Sequence, residues 1–264
     1  MYSWLQRLAS LRHRFSYGLS EHARRRGGAH LEIPVHTLPA LPGEQGERIA
    51  ALRARYHVNF EGYLNAATSV RNYEYLDLLD RGFAQAGIAP PRLGSLYDVG
   101  CANFWYARTL HAFFQPDSLT GIEVEGYRRY RDGHSRVDYA AGYIAGLPRT
   151  RFEIVDYLRV DEPGDVITAW FPFLTATAIL AWRLPLSLLR PRALIERIAA
   201  NLTEGGMFIM VNHGLEEARP AMSLCAAAGL RRLYGEPVGG PLSAYRARSP
   251  VLSIWCTESA RSRL

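Results

Sequence analysis

Apolar positions along the chain recur in two rhythms. Up to about residue 90 they fall three and four apart, the spacing of amphipathic helices. At 100° per residue, Trp4, Leu5, Leu8, Leu11, Phe15 and Leu19 share one stripe, with Arg7, Arg12, His13 and Arg14 at its flanks and back. A second helix is expected over Glu47 to Leu64. A third starts near Ser69 or Asn72, turns Tyr73, Leu76, Leu79 and Phe83 to one side and ends at Gly87. Between the first two, Gly27, Gly28, Pro34, Pro39, Pro42, Gly43 and Gly46 mark a linker or surface loop.

Beyond Pro90 and Pro91 the rhythm changes to short apolar runs separated by helical windows, the pattern of a parallel α/β sheet buried on both faces. Strands are predicted at Ser95 to Val99, Leu119 to Val124, Arg151 to Val155, Asp165 to Trp170, Met207 to Val211, Leu230 to Tyr234 and Val251 to Thr257. The clearest helix runs from Arg192 to Leu202, with Leu194, Ile195, Ile198 and Leu202 on one face, and stops at the turn Thr203-Glu204-Gly205-Gly206. Two regions follow: an N-terminal helical extension with linker over 1–90, and an α/β domain over 91–264. The uncharged stretch Val166 to Trp182 is divided by Pro172 and begins as a strand, so it is not read as a membrane span.

Composition narrows the functional classes. With 264 residues, 48% of them hydrophobic, the chain is neither disordered nor collagenous. Cys101, Cys225 and Cys256 are odd in number and far apart, with no CxxC pair and no His at ligand spacing, so no disulfide framework and no metal site are expected, and a cytoplasmic location is. All 31 basic residues are Arg. Residues 1–30 hold six Arg against Glu21, which is +5 of the net +6, so the rest of the chain is nearly neutral and nucleic acid is not an expected partner. The N-terminus lacks the apolar run of a secretory signal. Its basic amphipathic helix is expected either to contact an anionic membrane surface through residues 1–26 or to cover an edge of the folded domain.

Candidate chemistry lies at the ends of the predicted strands. In Ser95-Leu-Tyr-Asp98-Val-Gly100-Cys101-Ala102-Asn-Phe104, a strand runs into a small-residue turn and then a helix, so a ligand can approach the backbone at Gly100 and Ala102 and meet the helix amides. The next strand ends Gly121-Ile122-Glu123-Val124-Glu125, and Glu123 stands 25 residues after Asp98, near the spacing at which a carboxylate reaches a ribose diol. A third strand ends at Val155-Asp156-Tyr157. Three acids at one sheet edge compose a nucleoside site. Singly, the turn could be an empty connection, Glu123 a solvated strand end and Asp156 a helix cap. A nicotinamide enzyme is the nearest competitor, disfavoured by the missing GxGxxG and by the final pair of strands.

From Ser95 to Thr257 the chain resembles the class I S-adenosylmethionine-dependent methyltransferases. The string Asn201-Leu-Thr-Glu-Gly-Gly206-Met-Phe-Ile-Met-Val-Asn212 resembles that family's helix, Gly-Gly turn and fifth strand. Asp98, Gly100 and Ala102 match its acid followed by alternating glycines, while Phe104 stands where a third glycine is usual. The resemblance implies a Rossmann-like, seven-stranded, mostly parallel sheet with helices on both faces, and S-adenosylmethionine as cofactor. It also implies that the loop from Asp98 through Cys101 to Ala102 follows the methionine part. Glu123, with Val124 beside it, would hold the ribose hydroxyls, and Asp156 with Tyr157 would face the adenine. Trp170 and Phe171 would separate cofactor from acceptor, and Arg71 and Tyr73 in the preceding helix would reach the cofactor carboxylate.

Methyl transfer depends chiefly on in-line positioning, and a general base is optional. His213, just past the fifth strand, is the candidate base, with a buried or capping histidine as the alternative. The Asn-Pro-Pro-aromatic signature of amino methylation in nucleic acids is missing, and Trp170-Phe171-Pro172-Phe173 lacks a polar residue to bind an amine. Leu174 to Arg192 is apolar and broken by Pro185 and Pro191, which suits a lid over an apolar acceptor or an ordinary buried helix. The expected activity is methyl transfer to oxygen of a small or lipid-like acceptor. The alternative is a methyltransferase-fold protein without catalysis, serving as a binding or scaffold partner.

Overall fold

A computed structural model describes residues 2–23, 27–39, 41, 43–92, 94–243 and 249–257. Arg24, Arg25 and Arg26 of the basic segment and Pro42 of the linker lie outside the described residues. Helix α1 (Trp4–Ala23) opens with a reciprocal cap, Ser3 Oγ accepting the Gln6 N–H at 3.2 Å and Gln6 Oε1 accepting the Ser3 N–H at 2.9 Å. Helix α2 (Glu44–Tyr56) stops where His57 turns to φ 52°, so the helix expected to reach Leu64 divides into α2 and one turn of 3-10 helix at Phe60–Gly62. Helix α3 (Ala66–Ala86) begins at Asn65, whose side chain accepts the Thr68 N–H at 2.9 Å, and ends at Gly87 with φ 67°.

The remaining chain alternates strand and helix. Strands β1 (Ser95–Val99), β2 (Ser118–Glu123), β3 (Thr150–Ile154), β4 (Gly164–Trp170), β5 (Leu202–Asn212), β6 (Arg231–Pro237) and β7 (Val251–Cys256) form one sheet in the order β3-β2-β1-β4-β5-β7-β6. Only β7 runs antiparallel to its neighbours. Helices α4 (Ala107–Phe114), α5 (Arg136–Tyr143), α6 (Ala176–Ala181), α7 (Pro191–Asn201) and α8 (Leu215–Ala227) connect them. All seven predicted strands are present to within a few residues. One difference is the Thr203–Gly206 turn, which lies inside β5 as a bulge: pairing steps from Gly164↔Leu202 to Val166↔Met207. Strand order reverses between β1 and β4, the place where open α/β sheets bind ligands.

The sheet is covered on both faces. Val166, Ile209, Leu252 and Ile254 pack with Leu52 of α2, Leu76 and Leu79 of α3, and Leu110 and Phe113 of α4. Ile167, Phe208, Met210 and Trp255 pack against Ile195 and Ile198 of α7 and Cys225 of α8. Helix α3 comes so close to β7 that a Cβ on Gly82 would stand 3.0 Å from Leu252. Residues 44–86 therefore share the core of the sheet, and the boundary near residue 90 divides stretches of sequence rather than cores.

Helix α1 docks on the domain, one of its two expected placements, but not by the expected face. It docks through its polar side: Gln6, Ala9, Ser10, His13, Tyr17 and Ser20 are half-buried, and Ser10 Oγ accepts the Leu186 N–H at 2.9 Å. The apolar stripe, expected to meet either a membrane surface or a domain edge, faces outward and covers no domain edge. Among the described residues, no helix is long and apolar enough to cross a membrane.

Candidate cofactor site

The loop after β1 has an unusual backbone. Gly100, Ala102 and Phe104 carry φ of 76°, 54° and 58°, so every second residue is left-handed, although only the first is a glycine free of Cβ strain. The Gly100 and Cys101 N–H groups both donate to the Ile122 carbonyl, at 2.8 and 3.2 Å, and the Phe104 N–H donates to the Cys101 carbonyl at 2.8 Å. Phe104 is fully buried, with its ring over β2 at Gly121, where a Cβ would stand 2.6 Å from the ring. The side chain in the usual place of a third glycine is thus seated on a different glycine. A Cβ at Gly100, by contrast, would meet nothing within 4 Å.

That loop borders a cavity of about 450 Å³ at the carboxyl ends of the strands. Gly100, Cys101, Ala102, Glu123, Val124, Asp156, Tyr157, Trp170, Arg71 and His213 all contribute to its wall. Asp98 does not. It is fully buried beneath the loop, with one carboxylate oxygen accepting from Thr168 Oγ1 at 2.5 Å and the other from Tyr106 Oη at 2.7 Å. Burial pushes its carboxyl up to about 7, against the two hydrogen bonds and with help from the Glu123 charge. Its place is structural support of the loop rather than contact with a ligand. The Cys101 thiol is buried as well, which raises it well above its ordinary value and leaves it unreactive.

Tyr73 also lies away from the cavity, and helix geometry explains why. Residues two apart on a helix point about 200° apart, so if Arg71 and Tyr75 face the cavity Tyr73 faces α2. There its hydroxyl donates to Glu61 at 2.7 Å and accepts from Arg53 Nε at 3.0 Å. Arg71 lies over the Trp105 ring, 4.1 Å from its centroid, at the cavity wall.

Glu123 and Asp156 are both engaged by the protein. Glu123 Oε2 accepts the Ala102 N–H at 2.8 Å, while Oε1 accepts the Glu125 N–H at 2.9 Å and pairs with the buried Arg136 at 3.0 Å. A carboxylate offers about four lone-pair sites, so Glu123 retains one on Oε2 for a ligand hydroxyl. Asp156 caps the 3-10 turn Tyr157–Arg159 through the Leu158 N–H at 3.1 Å and pairs with Arg190 at 2.5 Å. Tyr157 accepts from Asn201 Nδ2 at 3.3 Å.

Several wall residues escaped the sequence reading. Tyr75 stacks on Trp170 with centroids 4.2 Å apart and 10° between planes, and meets Trp105, Tyr106 and Phe171 edge-on or tilted. His213 stacks on Phe171 at 3.9 Å and 12°, and its backbone N–H donates to Glu217 at 2.9 Å. The segment after β4 forms the outer wall with Phe173, Ile179, Trp182, Leu184 and Leu188. Tyr75 could have been found as the residue one helical turn beyond Arg71; Arg136 has no such signal. Outside the cavity, tertiary folding gathers His30, Asp132 and His134, with ligand atoms within 4.8 Å of one another, a set with the composition to hold a divalent cation where none was expected. Asp132 there also accepts from Tyr139 Oη at 2.5 Å.

These features suit S-adenosylmethionine: an open Cβ position at Gly100, a remaining acceptor at Glu123 and an aromatic wall. No family model and no curated protein matches the sequence. Among solved structures the chain is similar to a chain of the Haloferax volcanii complex between the Trm112 methyltransferase activator and a methyltransferase, at 13% identity and TM-score 0.54, over 83% of this chain and 99% of that one. It is also similar to an S-adenosylmethionine-dependent methyltransferase from Aquifex aeolicus, at 13% identity and TM-score 0.50, over 70% of this chain and 95% of that one. With its seven-stranded sheet, single antiparallel strand and strand-end cavity, the chain has the class I S-adenosylmethionine-dependent methyltransferase fold.

Proposed function

We propose that this chain is an S-adenosylmethionine-dependent methyltransferase that acts on an oxygen of a small or lipid-like acceptor. The observation that supports it best is the joint arrangement around one cavity of a left-handed loop, an anchored carboxylate on the next strand and a wall of aromatic rings. Bound there, the cofactor supplies a methyl group activated on a sulfonium. Backbone from Gly100 to Ala102 would hold its methionine part, with Arg71 available to its carboxylate. Glu123 Oε2 would accept a ribose hydroxyl, and Tyr157 would hold the adenine. Tyr75, Trp105 and Trp170 give the cavity an electron-rich aromatic wall suited to a cation, and together with the segment after β4 as a lid they would exclude water and hold the acceptor in line. His213, fixed flat on Phe171, receives the acceptor proton. Three free, buried cysteines support a reducing, cytoplasmic setting.

Calorimetry with S-adenosylmethionine tests the reading directly. The chain is expected to bind it, and Gly100→Val is expected to abolish binding, because the new side chain occupies open space at the cavity wall; a β-branched residue at φ 76° is also strained, so circular dichroism is read beside calorimetry to separate lost binding from lost folding. Normal affinity in the variant removes the loop assignment. No binding by the unaltered chain leaves a methyltransferase fold without catalysis, a binding or scaffold protein.

A further inference from the structure

Helix α1 has the wrong side in solvent for a helix that merely braces a domain. Trp4, Leu5, Leu8, Leu11, Phe15 and Leu19 are each 52–72% exposed and lie on one stripe. The docked side is polar and uncharged; burial, followed by Arg12, Arg183 and Arg128, holds His13 below its ordinary value. At 100° per residue, Arg7 and Arg14 lie about 40–60° beyond one edge of the stripe, Arg12 falls just inside the other edge beside Leu5, and no acid precedes Glu21. An exposed apolar stripe accompanied by cations and no acid is the geometry of a helix lying in a lipid interface, with apolar side chains among the acyl chains and guanidinium groups at anionic headgroups.

Its location adds a second point. Helix α1 packs on α6 and is tied to Leu186, and that same segment walls the cavity through Ile179, Trp182 and Leu184. Trp182 is 49% exposed while also lining the cavity. Helix α1 therefore overlies the segment that walls the cavity, with its apolar stripe on the side away from that segment.

We propose that the outward face of α1 seats the protein on an anionic lipid surface and turns the lid of the cavity toward the bilayer, so that a lipid-like acceptor is drawn from the membrane. The acceptor clause rests on the methyl-transfer reading; the docking does not.

The test is sedimentation of the full chain with vesicles of phosphatidylcholine alone or mixed with phosphatidylglycerol. Binding is expected on the mixed vesicles and at least roughly tenfold weaker on the neutral ones or at 0.5 M salt, because Arg attraction is screened within a few Å at that ionic strength. Leu8→Glu with Phe15→Glu should abolish binding while melting temperature and cofactor affinity stay unchanged, since both side chains are exposed. Arg7→Gln with Arg14→Gln, which leaves the stripe intact, should weaken it roughly tenfold or more. In a Trp4→Phe background, brominated phosphatidylglycerol should quench fluorescence, and adding Trp182→Phe should remove most of that quenching. Equal binding to both vesicles, binding to neither, or quenching indifferent to Trp182 overturns the proposal. So does a lipid-free dimer that Leu8→Glu with Phe15→Glu dissociates, which would assign the face to a second copy. Vesicle binding that persists in a chain unable to bind S-adenosylmethionine would sustain the docking and remove only the methyl-transfer reading.

Discussion

Glu123 combines two roles that pull on its variants differently. Its carboxylate ties the loop through the Ala102 N–H and neutralises the buried Arg136, and it has one acceptor position left for a ligand. Glu123→Ala is expected to weaken S-adenosylmethionine by roughly 10- to 100-fold, since a charge-assisted hydrogen bond contributes about 1.5 to 3 kcal/mol. The same change should lower the melting temperature by leaving Arg136 with Glu125 alone. Unchanged calorimetric affinity would remove Glu123 from the ribose. Asp98 offers a pH-dependent counterpart. Its carboxyl ionises near 7 in the fold against an ordinary 3.8, so the native state holds the proton more tightly than the unfolded chain between those values. Stability contributed by the neutral acid is therefore complete below about pH 4 and declines as pH rises to 7, on the order of 3 to 4 kcal/mol at about 1.4 kcal/mol per unit. Urea midpoints at pH 5 and 8 should differ by more in the unaltered chain than in Asp98→Asn, which cannot ionise. Equal differences would show that Asp98 does not titrate in this window.

At the scale of elements, the loop and β2 are fitted to each other. Phe104 occupies a left-handed position and fills the space that Gly121 leaves, so enlarging Gly121 overpacks the contact and truncating Phe104 leaves a void. Gly121→Ala should cost about 1 to 3 kcal/mol by overpacking. In a Phe104→Ala background the same substitution should cost far less, giving a coupling of about 1 kcal/mol or more in a double-mutant cycle read by urea denaturation. Additive effects would mean that the two do not touch. Strands and helices were readable because short apolar runs and period-3.6 apolar patterns are local. The β5 bulge was not, because Thr203 to Gly206 resembles a free turn until pairing with β4 shows the register step. The division after Tyr56 was hidden likewise, resting on a left-handed His57 that no periodicity marks.

Across the whole molecule, the helices before residue 90 belong to the sheet's own core. Leu76 of α3 is fully buried in the cluster that contains Ile209 and Leu252. Leu76→Ala should cost about 2 to 5 kcal/mol and shift a single cooperative transition seen equally by far-UV circular dichroism and tryptophan fluorescence. Two separated transitions would mean that the N-terminal helices melt on their own.

By itself the sequence determined the seven strands, the strand-end acids, the small-residue turn and the amphipathic character of the first helix, because each is written in neighbouring residues or in a short spacing. Tertiary structure alone decided direction and partnership. It turned Tyr73 toward Glu61 and Tyr75 toward the cavity, since helix phase needs a neighbour to give it an origin. It placed Asp98 beneath the loop because Thr168 and Tyr106, 70 and 8 residues away, converge on it. It brought His30 to Asp132 and His134, about a hundred residues apart. It also set α1 with its polar side to the domain, because an amphipathic pattern states that two faces differ and not which of them the fold will cover.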